Sequence, residues 1–109
     1  MKLNRYDTLI TRTVKSFSDL LILKYLKTHP LSSGYEILRH LGGKYNIRFS
    51  PGTIYHELYL LERKKAIESE GDDNGRTYSL TVEGEKTLAA MFQDGAQIQQ
   101  LIATIFSEA

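Results

Sequence analysis

Cysteine is missing from this chain and proline occurs only twice, at Pro30 and Pro51. Without thiols there can be no disulfide, no thiolate metal site and no cysteine nucleophile, and a reducing compartment is allowed. Long apolar runs are also lacking. No stretch approaches the 18 residues of a membrane span, and the amino terminus "MKLNRYDTLITR" has no continuous apolar stretch of the signal-peptide kind. A soluble, cytoplasmic protein with no membrane association is the expectation. The three histidines, His29, His40 and His56, fall on three separate elements, without His-x-x-x-His or glutamate-bearing metal spacing. "LGGKY" is not a full phosphate loop, and in "GDDNGR" Arg76 stands where a calcium loop needs a ligand. With no nucleophile paired to a base, the sequence argues against an enzyme, and it calls for no cofactor.

What is present is one small domain's worth of chain. At 109 residues and 41% apolar content it can bury a modest core, near the size where pairing with a second copy commonly adds buried area. The net charge of +1 hides an asymmetry. Residues 1–66 carry 12 Lys/Arg against 5 Asp/Glu, and residues 67–109 carry 2 against 8. Clustering on solvated faces would produce this pattern, and so would a basic half facing a polyanion while the acidic half points away.

Hydrophobic spacing supplies the element order. Leu3, Tyr6, Ile10 and Val14 recur at steps of three and four, which predicts an amphipathic helix over 1–15, with Lys2, Arg5, Arg12 and Lys15 making its other face basic. Ser16 and Asp19 fit a capping box ahead of "LLILKYLKTH", a core helix that Pro30 stops. Ser33 and Glu36 repeat that grammar for a short helix ended by Gly42-Gly43, and "KYNIRF" reads as an extended connector. Ser50 can cap a third helix with Pro51 in its first turn, running to about Ala66. "AIESE" and "RTYSLT" flank Asn74-Gly75, a dipeptide suited to tight hairpin turns. Thr81 can cap a final helix with Glu83 and Glu85 in its first turn. The expected fold is therefore mainly α with a small β-hairpin, a winged helix-turn-helix over 16–81 preceded by the basic helix of 1–15. A carboxy-terminal helix over 82–109 follows it.

The third helix carries the site. If Ile54, Leu58, Leu61 and Lys65 mark one side, then Gly52, His56, Tyr59 and Arg63 fall opposite, with Tyr55 on the flank. A bare glycine lets that face approach closely, and His56, Tyr59 and Arg63 can hydrogen-bond bases or phosphates. A sharply capped helix start also presents N–H groups to phosphate and is the end that enters the major groove in helix-turn-helix docking. The alternative is that the tyrosines cover a core edge, with His56 and Arg63 simply solvated.

In the last helix Leu88, Met91, Gly95, Ile98, Ile102 and Ile105 alternate steps of three and four, a heptad seam. Gly95 either weakens that helix or marks a break after Asp94. Exposed on a monomer the stripe would aggregate, so it must pair with a second copy, fold back on its own domain, or divide between the two.

Three segments together resemble the PadR family of transcriptional regulators over roughly residues 20–90: "LILKYLKTHPLSSGYEILRHL", "FSPGTIYHELYLLERKKAIES" and "RTYSLTVEGEKTL". The resemblance implies a homodimeric repressor binding double-stranded DNA at a pseudo-palindromic operator, with carboxy-terminal helices in the dimer contact and a small aromatic effector at the dimer interface. It places Tyr35, Ser50, Gly52, Thr53 and Tyr55 in the helix-turn-helix and Arg76 in the wing motif; Asn74 is the other wing residue able to contact DNA. The departures are His56, where the family commonly has proline, and Asp72-Asp73 at the wing tip, where a cation would help a phosphate contact. The rival reading is a winged-helix module that uses the same face to bind protein.

Overall fold

The computed structural model describes residues 8–108. In chain order the elements are α1 (Leu9–Ser16), α2 (Ser18–Thr28), β1 (Ser32–Ser33), α3 (Gly34–Tyr45), α4 (Pro51–Arg63), β2 (Ile67–Glu70), β3 (Thr77–Leu80), α5 (Val82–Gln93) and α6 (Gly95–Ile105). α2 is the central rod, touching α3, α4, α5 and β3. That explains why its sequence is apolar almost all round: Leu21, Ile22, Leu23 and Leu26 are all buried. Ile37 and Leu41 from α3, Ile47 and Phe49 from the connector, Ile54, Leu58 and Leu61 from α4, Ala66 after it, Ile67 and Tyr78 from the sheet, and Leu88 from α5 complete the core.

Two helix starts follow the sequence grammar closely. At α3, Ser33 Oγ accepts from the Glu36 N–H at 3.1 Å while Glu36 Oε1 accepts from the Ser33 N–H at 2.9 Å, a closed capping box. Those hydrogen bonds also hold the Glu36 carboxyl below the usual carboxylate range. At α4, Ser50 Oγ accepts from the Thr53 N–H at 3.1 Å and Pro51 occupies the first turn.

Several other boundaries differ from the sequence expectation. Leu3, Tyr6, Lys2 and Arg5 lie outside the described residues, and Ile10 is 74% exposed while Thr11 is the buried residue of α1. Ser16 closes α1 instead of capping α2, its hydroxyl donating to the Thr13 carbonyl, and Phe17 stands at the start of α2 without a side-chain cap. Gly42-Gly43 do not end α3. The helix continues to Tyr45 and stops on Asn46 in the left-handed conformation (φ 52°), because Tyr45 still packs against the core there. α4 ends at Arg63, two residues before Lys65 turns left-handed (φ 63°), so Lys65 is exposed and takes no place on the buried side.

β2 and β3 form the expected hairpin, but its left-handed residue is Gly71 (φ 93°), and Asn74-Gly75 sit in a turn closed by the Gly75 N–H on the Asp72 carbonyl. A third strand, β1, adds to the free edge of β3, giving the order β1-β3-β2. This ties the start of α3 to the wing.

Thr81 anchors α5 twice: its hydroxyl accepts from the Gly84 N–H at 3.0 Å and donates to the Lys65 carbonyl at 2.6 Å. Gly84 then lies so close to Ala66 that any Cβ would overlap the Ala66 carbonyl. Asp94 breaks the last helix into α5 and α6, the outcome that Gly95 signalled. The heptad seam is divided accordingly. Leu88 is 1% exposed and wholly committed to the protomer's own core, so it has no surface to offer a partner. Met91 is half-buried against that core, Ile98 lies over a cleft with Phe17, Leu20 and Met91, and Ile102 and Ile105 are exposed.

Candidate nucleic-acid interface

Burial of Ile54, Leu58 and Leu61 fixes the rotation of α4 about its axis. It leaves Gly52, His56, Tyr59 and Arg63 on the opposite side, all exposed. Within the described residues nothing covers that face. The Arg63 guanidinium lies 5.8 Å from the Tyr59 ring centroid, a cation over an aromatic face that stiffens the long arginine without burying its charge. Leu60, beside them, is half-buried.

Tyr55 sits on the flank, about half exposed, with its ring laid across the start of α3. A Cβ on Gly34 would fall 2.5 Å from Tyr55 Cε1 and 2.7 Å from its hydroxyl oxygen, so glycine at 34 is what lets the two helices meet there. Tyr35, 60% exposed, projects beside it, and Arg39, one turn further along α3, places its guanidinium 5.9 Å from the Tyr35 ring. Ser50 and Thr53 are exposed at the tip of α4, where the Ser50 hydroxyl donates to Thr53 Oγ1 at 2.7 Å.

Across from these residues stands the wing. Ser33, Gly34, Tyr35, Tyr55 and Tyr78 on one side and residues 73–76 on the other enclose an open cleft of about 440 Å³. Tyr78 lines the cleft, and burial pushes its phenol up from the ordinary value. Arg76 faces the cleft, with Nη1 donating to Ser69 Oγ at 3.0 Å and Nη2 lying 3.8 Å from the exposed Asp73 carboxylate. Asn74 is exposed, its N–H bonded to Asp72 Oδ1 at 2.9 Å.

The structure therefore brings the sequence-derived residues into two groups. His56, Tyr59 and Arg63 form the outward stripe of α4, and Tyr35, Tyr55, Asn74 and Arg76 line the adjoining cleft. Arg39 was missed, although its i, i+4 spacing from Tyr35 was a usable signal. Glu62 and Ser69, which reach Arg76 in series, left no signal, because the packing of α4 against β2 and the turn of the hairpin set their approach.

Two of the histidines treated as scattered converge. The Tyr25 ring is stacked on His29 at 4.3 Å and tilted against His40 at 4.4 Å. Burial, reinforced by Lys44 and His29, pushes His40 below the ordinary imidazole value of 6.5. Among the described residues no three His, Cys, Asp or Glu side chains come together as a metal site, and no helix is long and apolar enough to cross a membrane.

The sequence missed Leu101 on α6 and Phe106 just after it, both more than half exposed. Phe106 reaches back to Leu9, Ile10, Thr13 and Val14 of α1 across an apolar groove of about 320 Å³.

Comparison with known proteins agrees with this arrangement. A match to the transcriptional regulator PadR-like family spans residues 22–90. The chain is similar to the structure of a transcriptional regulator from Clostridium thermocellum, with 25% identity, 89% of this chain and 97% of that one covered, and a TM-score of 0.76. It is also similar to a PadR family transcription regulator from Clostridium difficile, with 28% identity, coverage of 84% and 99%, and a TM-score of 0.66. A PadR family regulator from Eggerthella lenta, at 19% identity, shares the fold with a TM-score of 0.78 over 93% of this chain and 91% of that one. Comparison with curated protein sequences gave no match. With three helices closed by a wing, an uncovered third-helix face and a family match over most of its length, the chain belongs to the PadR-like family of transcriptional regulators.

Proposed function

We propose that the protein is a sequence-specific DNA-binding repressor that acts as a homodimer on a pseudo-palindromic operator. The observation that carries this reading is the uncovered face of α4, where Gly52, His56, Tyr59 and Arg63 flank a sharply capped helix start. In a major groove His56 and Arg63 meet base edges or phosphates, Gly52 permits close approach, and Ser50 and Thr53 sit at the backbone. Tyr35, Tyr55, Asn74 and Arg76 hold the adjoining phosphates from the cleft.

Pairing is supported by the apolar surface that α6 and the residue after it leave outside the core, chiefly Ile105, Phe106 and Leu101, with Ile102 partly exposed beside them. Two protomers joined there would set their α4 helices about 34 Å apart, one turn of B-DNA. A dimer on a promoter represses by occlusion, and the small aromatic effector implied by the family resemblance would lie at the paired surface.

Asp72 and Asp73 at the wing tip favour a second reading, a protein-binding module, because two carboxylates repel a phosphate backbone. Salt dependence separates the two. Each phosphate neutralised should lower log K by about 0.9 per unit log salt, so a duplex contacted by several cations should lose affinity steeply between low and moderate salt. A flat response, measured by fluorescence anisotropy on duplexes selected from a random pool, would favour the protein-binding module.

A further inference from the structure

Arg76 is the only Lys or Arg between residues 67 and 80, so any attraction the wing exerts on a polyanion depends on where that guanidinium points. Its position is set by a relay from the recognition helix. Glu62, in the last turn of α4, accepts a hydrogen bond from the Ser69 hydroxyl at 2.6 Å, and Ser69 Oγ in turn accepts from Arg76 Nη1 at 3.0 Å. A serine hydroxyl has a single proton. Committed to the Glu62 carboxylate, that proton leaves the oxygen lone pairs to Arg76, and the carboxylate polarises the hydroxyl into a better acceptor.

We propose that Ser69 is a positioning residue for DNA binding, coupling α4 to the wing by holding the Arg76 guanidinium at the cleft between them. This rests on the DNA-binding reading above. Three features support it. The guanidinium carries five N–H donors, and the Ser69 bond engages one of them, leaving others for a phosphate. Asp73, the other partner, is fully exposed and 3.8 Å away, a contact weak enough for a phosphate oxygen to displace. Ser69 pairs with Tyr78 across the hairpin, and Tyr78 lines the same cleft as Arg76, Tyr35 and Tyr55, so the middle residue of the relay sits on the strand pair that shapes the site. Ordering the arginine before DNA arrives removes part of the entropy cost of making the contact.

The test is a double-mutant cycle on a selected operator duplex with the full chain, reading affinity and its salt slope. Arg76→Ala should reduce the slope by about 0.9 for each wing that touches a phosphate. Ser69→Ala should weaken binding about fivefold, the scale of one net hydrogen bond. It should weaken binding no further in the Arg76→Ala background, and Ser69→Thr, which keeps the hydroxyl, should restore affinity. A merely structural role would cost the same factor in both backgrounds. That result, or wild-type binding left unchanged by Ser69→Ala, would overturn the proposal while leaving the DNA reading intact. If the wild-type protein binds no duplex even at low salt, the DNA reading fails and takes this proposal with it.

Discussion

Replacing both His56 and Arg63 by alanine should lower affinity for an operator duplex about a hundredfold while lowering the melting temperature by only about 4 °C. The asymmetry follows from where the side chains are. Both are exposed on the side of α4 away from Ile54, Leu58 and Leu61, so neither contributes to the core. Removing Arg63 forfeits its contact with the Tyr59 ring and a favourable charge at the helix carboxy terminus, each worth about 0.5 kcal/mol on an exposed surface. Against DNA, losing a base-edge contact costs about 1–3 kcal/mol, and two such losses at separated positions add. Anisotropy and calorimetry on the same preparations check the pair of outcomes. Unchanged affinity in the double variant would remove these residues from the interface.

The second large effect is expected at α6. Glutamate at both Ile102 and Ile105 should convert the dimer to monomer in sedimentation, raising the dimer dissociation constant by at least a hundredfold. Burying an isoleucine contributes about 1.5–3 kcal/mol, and a carboxylate in its place must also be desolvated. Both positions are more exposed within the protomer than Ile98, at 38% and 74%, so charges there carry a smaller folding penalty. Ile98 lies over a cleft with Phe17, Leu20 and Met91, where a charge would loosen the domain itself and confuse the readout. Operator affinity should fall with dimerisation, because two joined half-sites bind with an effective concentration that separated ones lack. An intact pair in this variant would place the dimer contact elsewhere.

The sequence placed the outward face of α4 more accurately than the element boundaries around it. Ser33 with Glu36 and Ser50 with Pro51 announced the starts of α3 and α4, because capping is a local hydrogen-bond arrangement that four residues can specify. The same grammar failed at Ser16, where α1 runs almost directly into α2 and leaves no room for an extended cap residue. Gly42-Gly43 misled as a stop signal because packing of Tyr45 outweighs the glycine cost and moves the left-handed residue to Asn46. The face of α4 was legible because one helix has one period. The cleft was legible only as separate names, since strand β1 beside β3 and Tyr55 over Gly34 are long-range approaches with no periodic trace. Leu88 shows the limit most clearly: its heptad spacing fits a partner helix as well as its own core, and only the approach of α5 to α2 decides between them.

In the proposed complex the outward face of α4 enters DNA. Titrating the isotopically labelled protein with a selected duplex and following backbone amide shifts tests it most directly. Perturbations should concentrate on Gly52, His56, Tyr59 and Arg63 and on the cleft residues Tyr35, Tyr55 and Arg76. Shifts confined to α1 and α6, with the α4 face silent, would contradict it.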